Sequence, residues 1–169
     1  MVWYVLLIGM VAVERLAELI VAERNRGWSL AHGSVEFGAR HYPPMVMLHM
    51  GLLVGCLVEA IAWQRPFIPS LGWPMLAIVL AAQSLRWWCI ATLGRQWNTR
   101  VIVVPGAGRV TAGPYRFLSH PNYVAVVAEG VALPLVHTAW MTALAFSALN
   151  AALLTTRIKV ENAALARLA

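Results

Sequence analysis

Long apolar runs limit the possible folds of this chain more strongly than any other feature of its sequence. Residues 2–23, 45–63 and 73–93 each form such a run, and each is close to the length of about twenty residues that a helix needs to cross a bilayer. Charged residues make up only 12% of the chain, whereas roughly a quarter is usual in soluble domains. The sequence therefore predicts an all-α, polytopic membrane protein.

The last apolar region is interrupted near its middle. Residues 123–136 are apolar, His137 and Thr138 follow, and residues 139–155 are apolar again. About fourteen residues are too few to cross a bilayer alone, so the pattern favours a helical hairpin of two short or tilted helices, with one long helix as the alternative. Together with the three earlier runs, the chain is expected to form a bundle of about five transmembrane helices.

The length and the charges indicate the domain organisation and the orientation. We expect a single domain over 1–169, with three membrane helices in 1–93 and a loop, the hairpin and a tail in 94–169. Basic residues follow the first, third and last helices, and Arg65 lies on the opposite side. The positive-inside rule then predicts an outside N-terminus and cytoplasmic long loops and tail. The net charge of +6 is explained by this topology, and no nucleic-acid partner is expected.

Three separated motifs in the second half point to one family. They are Gly113-Pro114-Tyr115-Arg116, His120-Pro121-Asn122-Tyr123 at the start of an apolar helix, and Arg157-Ile158-Lys159-Val160-Glu161-Asn162. In this order they resemble the isoprenylcysteine carboxyl methyltransferase family of membrane methyltransferases, in its compact bacterial branch. The resemblance extends from about residue 97 to 165. Two positions depart from it, because Ser119 stands where the family usually has arginine and Asn162 where it usually has a second acidic residue.

The resemblance implies a cofactor and the residues that bind it. The family binds S-adenosylmethionine in a cytoplasmic pocket formed by the C-terminal half of an all-helical bundle, and S-adenosylhomocysteine is the product. On the matching positions, His120, Tyr115 and Tyr123 are expected to bind the cofactor and Pro121 to set the turn. Glu161 is expected to contact the hydroxyl or ammonium groups of the cofactor.

Arg157 lies four residues before Glu161, on the same helical face, and is expected to hold an anionic group of the methyl acceptor. Structural roles stay open as alternatives for these residues. An i,i+4 ion pair is the alternative for Arg157 and Glu161, a helix cap is the alternative for His120, and an interfacial anchor is the alternative for Tyr123.

A carboxylate also lies about two turns inside the apolar helix that follows the second motif. Placing a charged carboxylate at that depth costs on the order of 2.5 to 3.5 kcal/mol unless the side chain faces a cavity or a partner. Glu129 is such a carboxylate. We therefore expect Glu129 to line the site, as a catalytic residue beside Arg157 and Glu161.

Polar residues in the first half have two possible roles. They either shape the acceptor site or provide structural polar packing, and they are Glu14, Arg15, Glu18, Glu36, Arg40, His41, Tyr42 and His49. His41 and His49 are eight residues apart with no third ligand at a suitable spacing, so no metal site is expected. Cys56 and Cys89 lie in apolar runs without a CxxC spacing and are expected to be packing residues.

The function hypothesis is an O-methyltransferase of the membrane, the inner membrane in a bacterium. Its partner would be a lipophilic small molecule or prenylated substrate in membrane lipid, with either an isoprenylcysteine-type carboxylate or an alkylpyrone or phenolic-lipid hydroxyl as acceptor. Phospholipid N-methylation is the alternative within the enzyme class. A non-catalytic membrane scaffold or transport subunit is the alternative outside it. The sequence does not indicate an oligomeric state.

Overall fold

The computed structural model describes residues 1–168 and the side chains of residues 1–166. In this part of the chain, five α-helices and one two-stranded antiparallel sheet form the regular structure. The helices are α1 (Val2–Ala31), α2 (Tyr42–Ala62), α3 (Pro69–Leu93), α4 (Pro121–Leu135) and α5 (Trp140–Leu168), and the strands are β1 (Val35–Phe37) and β2 (Val101–Val103). The predicted all-helical membrane bundle with a C-terminal hairpin is confirmed. Residue 169, at the end of the expected tail, lies outside the described residues.

Three of these helices are long and apolar enough to cross a membrane. They comprise residues Ala39–Ala62, Pro69–Gln96 and Trp140–Ala166. Helix α1 has 30 residues, but Glu14, Arg15 and Glu18 make it more polar than a simple span. Helix α4 has 15 residues, a length of about 22 Å, which is shorter than the bilayer core of about 30 Å.

Helix α1 extends eight residues beyond Glu23, where the sequence predicted its end. Arginine is a good helix former, so the polar stretch after Glu23 continues the helix instead of closing it. The helix ends near Gly33, whose φ of +73° allows the Ser34 N–H to donate to the Ser29 carbonyl at 3.1 Å. This is the usual left-handed C-terminal signal.

Helices α2 and α3 begin three and four residues earlier than predicted. Prolines occupy the first turn of each helix, where their missing N–H groups would have no partner within the helix. Strand β2 lies in the long connection that follows α3. It pairs with β1 in the register Val35 to Val103, Glu36 to Ile102 and Phe37 to Val101. The sequence did not predict strand β1.

Gly55 allows α2 to pack closely against α5. A Cβ atom at Gly55 would lie 2.9 Å from the Thr142 side chain, whereas one at Gly51 would meet none of the described residues within 4 Å. Of the two glycines in this GxxxG pattern, Gly55 therefore makes the contact within the chain. Cys56 and Cys89 are both buried and free, as expected of packing residues.

The end of the bundle near the α4–α5 turn is held by a buried carboxylate. Glu59 of α2 accepts hydrogen bonds from the Met141 and Thr142 N–H groups at 3.2 and 2.7 Å, and from the Thr142 hydroxyl at 2.8 Å. The Arg65 guanidinium lies 2.9 Å from Glu59 Oε1, the oxygen that also accepts from the Met141 N–H. Glu59 therefore satisfies the first N–H groups of α5, which have no partner within that helix.

We expect Glu59→Ala to lower the free energy of unfolding by about 2 kcal/mol. The substitution leaves two helix N–H groups and the Arg65 guanidinium without their acceptor. Denaturant unfolding in detergent, followed by tryptophan fluorescence, measures this loss. Glu23→Ala is the control, because the Glu23 side chain is 70% exposed, and an equal loss in both variants would contradict the capping role of Glu59.

Candidate functional site

A cavity of about 270 Å³ opens where α4 begins and α5 ends. All five helices, β2 and the loop between β2 and α4 contribute to its walls. Its volume is near the lower end of the range for small-molecule sites, which starts at about 300 Å³. We call the end of the bundle around the start of α4 the motif end, because the sequence motifs meet there.

The start of α4 places the second motif at this cavity. Pro121 is the first residue of the helix, where a proline needs no amide hydrogen, and it is buried without lining the cavity. His120 is the N-cap residue, but its side chain makes no capping hydrogen bond. The imidazole instead faces α5, so the helix-cap alternative for this side chain is not what the structure shows.

His120, Tyr123 and Glu161 form a connected group in the cavity wall. The Tyr123 hydroxyl donates a hydrogen bond to Glu161 Oε2, and His120 Nδ1 lies 3.4 Å from Glu161 Oε1. The His120 and Tyr123 rings stack with centroids 5.4 Å apart and an interplanar angle of 25°. The structure therefore brings together two of the sequence motifs, in which Tyr123 and Glu161 are 38 residues apart.

The charge on His120 is linked to Glu161. The hydrogen bond to Glu161 raises the pKa of His120 above its ordinary value of 6.5, although burial acts in the opposite direction. Because the folded-state pKa is the higher one, the contact stabilises the fold fully below the unfolded-state pKa, and this contribution is lost as the pH rises through the raised pKa.

A pH-dependent stability difference is therefore expected between the parent and His120→Asn. The parent should be the more stable protein below about pH 6.5, and its advantage should shrink as the pH rises through the raised pKa of His120. Thermal unfolding in detergent across this range measures the difference. A difference that grows with pH would contradict the His120–Glu161 contact.

Arg157 is buried in the same wall but does not pair with Glu161. Its Nη2 donates to the Thr99 carbonyl oxygen at 2.9 Å, and its guanidinium carbon lies 6.0 Å from the Tyr123 ring centroid. In the described part of the chain Arg157 and Glu161 form no ion pair, so the alternative of an i,i+4 surface pair is not what the structure shows. The Arg157 Nε is buried and makes no hydrogen bond in the described residues.

Tyr115 also lines the cavity, from the short 3-10 turn Gly113–Arg116. Its hydroxyl contacts the Cys89 thiol of α3, and burial followed by the neighbouring Cys89, Glu161 and Tyr123 raises the pKa of Tyr115 above its ordinary value. The phenol is therefore un-ionised at neutral pH and acts as a hydrogen-bonding group.

A sequence model described as the isoprenylcysteine carboxyl methyltransferase (ICMT) family matches residues 75–167, more than half of the chain. The chain belongs to this family. Membership confirms the resemblance of the three motifs and indicates a membrane methyltransferase. The matched region contains α4, all but the last residue of α5 and most of α3. It therefore includes every site residue that was predicted from the three motifs.

Two relatives match nearly the whole chain. The "Uncharacterized protein YpbQ" of Bacillus subtilis (strain 168) is 38% identical over 161 residues, which is 95% of each chain. An "Uncharacterized protein" of Haemophilus influenzae is 24% identical over 155 residues, 91% of this chain and 90% of its own. No solved structure matches the chain.

Two positions depart from the ICMT family pattern. One lies in the cavity wall and the other lies beside His120. Ser119 lines the cavity. The Asn162 side-chain oxygen lies 3.2 Å from His120 Nε2, so the amide takes a position from which it orients the imidazole. A second acidic residue is therefore not needed to hold His120 in place.

Glu129 does not line the cavity, which corrects the expectation made from the sequence. It is 3% exposed, and its Oε2 accepts hydrogen bonds from Arg15 of α1 at 2.7 Å and Arg86 of α3 at 2.6 Å. The two arginines line the cavity, with Glu129 behind them. The hydrogen bonds from Arg15 and Arg86 offset the free-energy cost of burying the Glu129 carboxylate, so this carboxylate does not have to face a cavity.

Sequence reasoning missed Arg86 and left open whether Arg15 and Glu18 shape the acceptor site or provide structural packing. Arg86 is a charged residue inside the apolar run of α3, and such a residue usually faces the interior of a membrane bundle. That signal was present in the sequence. Glu14 on the same face of α1 is held by the Gln83 and Trp87 side chains of α3.

Proposed function

We propose that this protein is an S-adenosylmethionine-dependent O-methyltransferase that acts on a lipophilic acceptor at the membrane. The observation that carries the proposal is the meeting of His120, Tyr123 and Glu161, from two separate family motifs, in the wall of one cavity. S-adenosylmethionine supplies, when bound, an electrophilic methyl group on a sulfonium and leaves as S-adenosylhomocysteine. On the charge pattern of the loops, the motif end faces the cytoplasm.

Polar atoms of the cavity wall support binding of this cofactor. Six buried side-chain atoms of the lining residues have no hydrogen-bond partner in the described residues, and a buried polar atom without a partner is costly. Besides Glu18 Oε1 and Arg86 Nε, they are Trp97 Nε1, Asn122 Oδ1, Asn150 Oδ1 and Arg157 Nε. The last four are two donors and two acceptors, and in a wall that also holds the Glu161 carboxylate they fit a ligand that carries an ammonium, a carboxylate and a ribose diol.

The residues of the chain have positioning roles in this reaction. Methyl transfer from a sulfonium to oxygen is an in-line displacement, so holding the reactants in line in a dry site can supply most of the acceleration. Glu161 is the proposed anchor for the hydroxyl or ammonium groups of the cofactor, and His120 and Tyr123 fix that carboxylate. Arg157 is the proposed contact for an anionic group, and Tyr115 closes the wall beside them.

An apolar wall supports a lipophilic acceptor. Leu19 of α1 and Met45, Met50 and Leu53 of α2 line the cavity. Leu19 and Met50 are also 37% and 57% exposed, so this wall reaches the outer surface of a bundle that lies in a membrane. An acyl or prenyl chain could occupy it while the polar head of the acceptor meets the cofactor. Both an isoprenylcysteine-type carboxylate and an alkylpyrone or phenolic hydroxyl satisfy this requirement.

The test of the proposal is stabilisation of the purified protein in detergent by S-adenosylhomocysteine. A ligand at 100 times its dissociation constant adds about 2.7 kcal/mol to the folded state, which a thermal unfolding scan detects. His120→Ala should lower this stabilisation, whereas His32→Ala should not, because His32 is exposed and contacts Trp28 at the end of α1. No shift in the parent, with His120→Ala behaving like the parent, would favour a non-catalytic scaffold.

A further inference from the structure

A second polar group lines the same cavity, deeper in the bundle than the motif end. It consists of Arg15 and Glu18 of α1 and Arg86 of α3, with Glu129 of α4 behind them, and we call these four side chains the inner cluster. Glu129 lies eight residues after Pro121, which is about 12 Å along the helix. None of the four belongs to the three sequence motifs, and the proposed cofactor contacts do not use them.

The charges of the inner cluster are balanced. Arg15 lies 2.7 Å from Glu18 and 2.7 Å from Glu129, and Arg86 lies 2.6 Å from Glu129. Two guanidinium groups therefore face two carboxylates, so no positive charge is left over for an anionic ligand. An anion placed here would also lie beside the Glu18 carboxylate, and like charges repel.

Two buried atoms of the cluster lack a hydrogen bond. Glu18 Oε1 and Arg86 Nε form an ion pair at 3.4 Å, but neither makes a hydrogen bond in the described residues. Both residues are only 4% exposed and both line the cavity. A hydroxyl group donates one hydrogen bond and accepts another, so an acceptor oxygen beside an N–H donor matches a hydroxyl.

We propose that Glu18 and Arg86 bind the hydroxyl group of an uncharged, lipophilic methyl acceptor. Glu18 Oε1 accepts the hydrogen bond of this hydroxyl, and Arg86 Nε donates one to its oxygen. The apolar wall with Leu19 and Met50 lies along the same cavity and takes the hydrocarbon chain. This inference rests on the proposed function and names the acceptor class of the same site. A carboxylate fits less well, because it has no hydrogen to donate to Glu18.

The probe for this site is para-dodecylphenol, with para-dodecylbenzoate as the charged compound of equal chain length. Titration calorimetry of the detergent-purified protein at neutral pH, where a phenol is uncharged, should show saturable binding of the phenol and weaker binding of the benzoate. Glu18→Gln should weaken phenol binding about tenfold or more, the loss expected for a hydrogen bond to a charged group. Glu23→Gln, on the exposed side of the same helix, should bind like the parent.

S-adenosylhomocysteine binding by every variant shows that the fold and the cofactor site are intact. Arg86→Lys is the second variant, because it keeps a positive charge for Glu129 but removes the Nε–H beside Glu18, and it should also weaken phenol binding. Equal phenol binding by parent, Glu18→Gln and Arg86→Lys would overturn the inference, as would equal affinity for phenol and benzoate, or no phenol binding by a parent that binds S-adenosylhomocysteine. Failure of the parent to bind S-adenosylhomocysteine overturns the proposed function itself.

Discussion

Glu129→Leu is expected to lower the free energy of unfolding by about 3–5 kcal/mol, the cost of removing one partner from a buried ion pair. The carboxylate accepts hydrogen bonds from Arg15 at 2.7 Å and from Arg86 at 2.6 Å, so its removal deprives two guanidinium groups at once. Arg15 keeps Glu18 at 2.7 Å, whereas Arg86 loses its short contact and keeps only the 3.4 Å approach to Glu18. Denaturant unfolding in detergent measures the loss.

A double substitution separates the ion pair from the shape of the side chains. Glu129→Leu combined with Arg86→Met removes both charges and leaves the Arg15–Glu18 pair balanced, and such replacements are often neutral or stabilising. The double variant should therefore be more stable than Glu129→Leu alone. Glu23→Leu is the surface control. Equal stability of Glu129→Leu and Glu23→Leu would show that Glu129 is not the central acceptor of the inner cluster.

The inner cluster also shows why part of the site was not predictable. A carboxylate at Glu129 signals a partner or a cavity, because either one lowers the cost of burial. Which of the two applies depends on residues 114 and 43 positions away in sequence, at Arg15 and Arg86. The packing of α1 and α3 against α4 determines whether Glu129 meets a partner or a cavity. No local sequence pattern predicts this packing.

Other features were predictable because their physical cause is local. Hydropathy and length identified the membrane helices, and the break at His137 and Thr138 identified the turn between α4 and α5. Residue 120 directly precedes α4 and residue 123 lies in its first turn, so the chain itself keeps the two side chains close. Strand β1 was missed because three residues have no visible periodicity, and its stability depends on pairing with β2.

Glu161→Gln is expected to weaken S-adenosylhomocysteine binding about tenfold to a hundredfold, the range for loss of a hydrogen bond to a charged group. Under the proposed function, the carboxylate is the main charged contact for the cofactor. The substitution keeps the size of the side chain but removes the charge that holds both the Tyr123 hydroxyl and His120. Titration calorimetry in detergent measures the dissociation constant, with Glu23→Gln as the matched control.

The contact between Glu161 and Tyr123 makes a stricter test possible. Tyr123→Phe removes one donor to the carboxylate and leaves its charge, so the loss of affinity should be smaller than in Glu161→Gln. If Tyr123 acts by holding Glu161, the two losses cannot add, because in the Glu161→Gln background the hydroxyl has no carboxylate left to position. The double variant should then bind like Glu161→Gln alone. Fully additive losses would mean that the tyrosine and the carboxylate contact the ligand independently, and unchanged affinity in Glu161→Gln would remove this residue from the cofactor site.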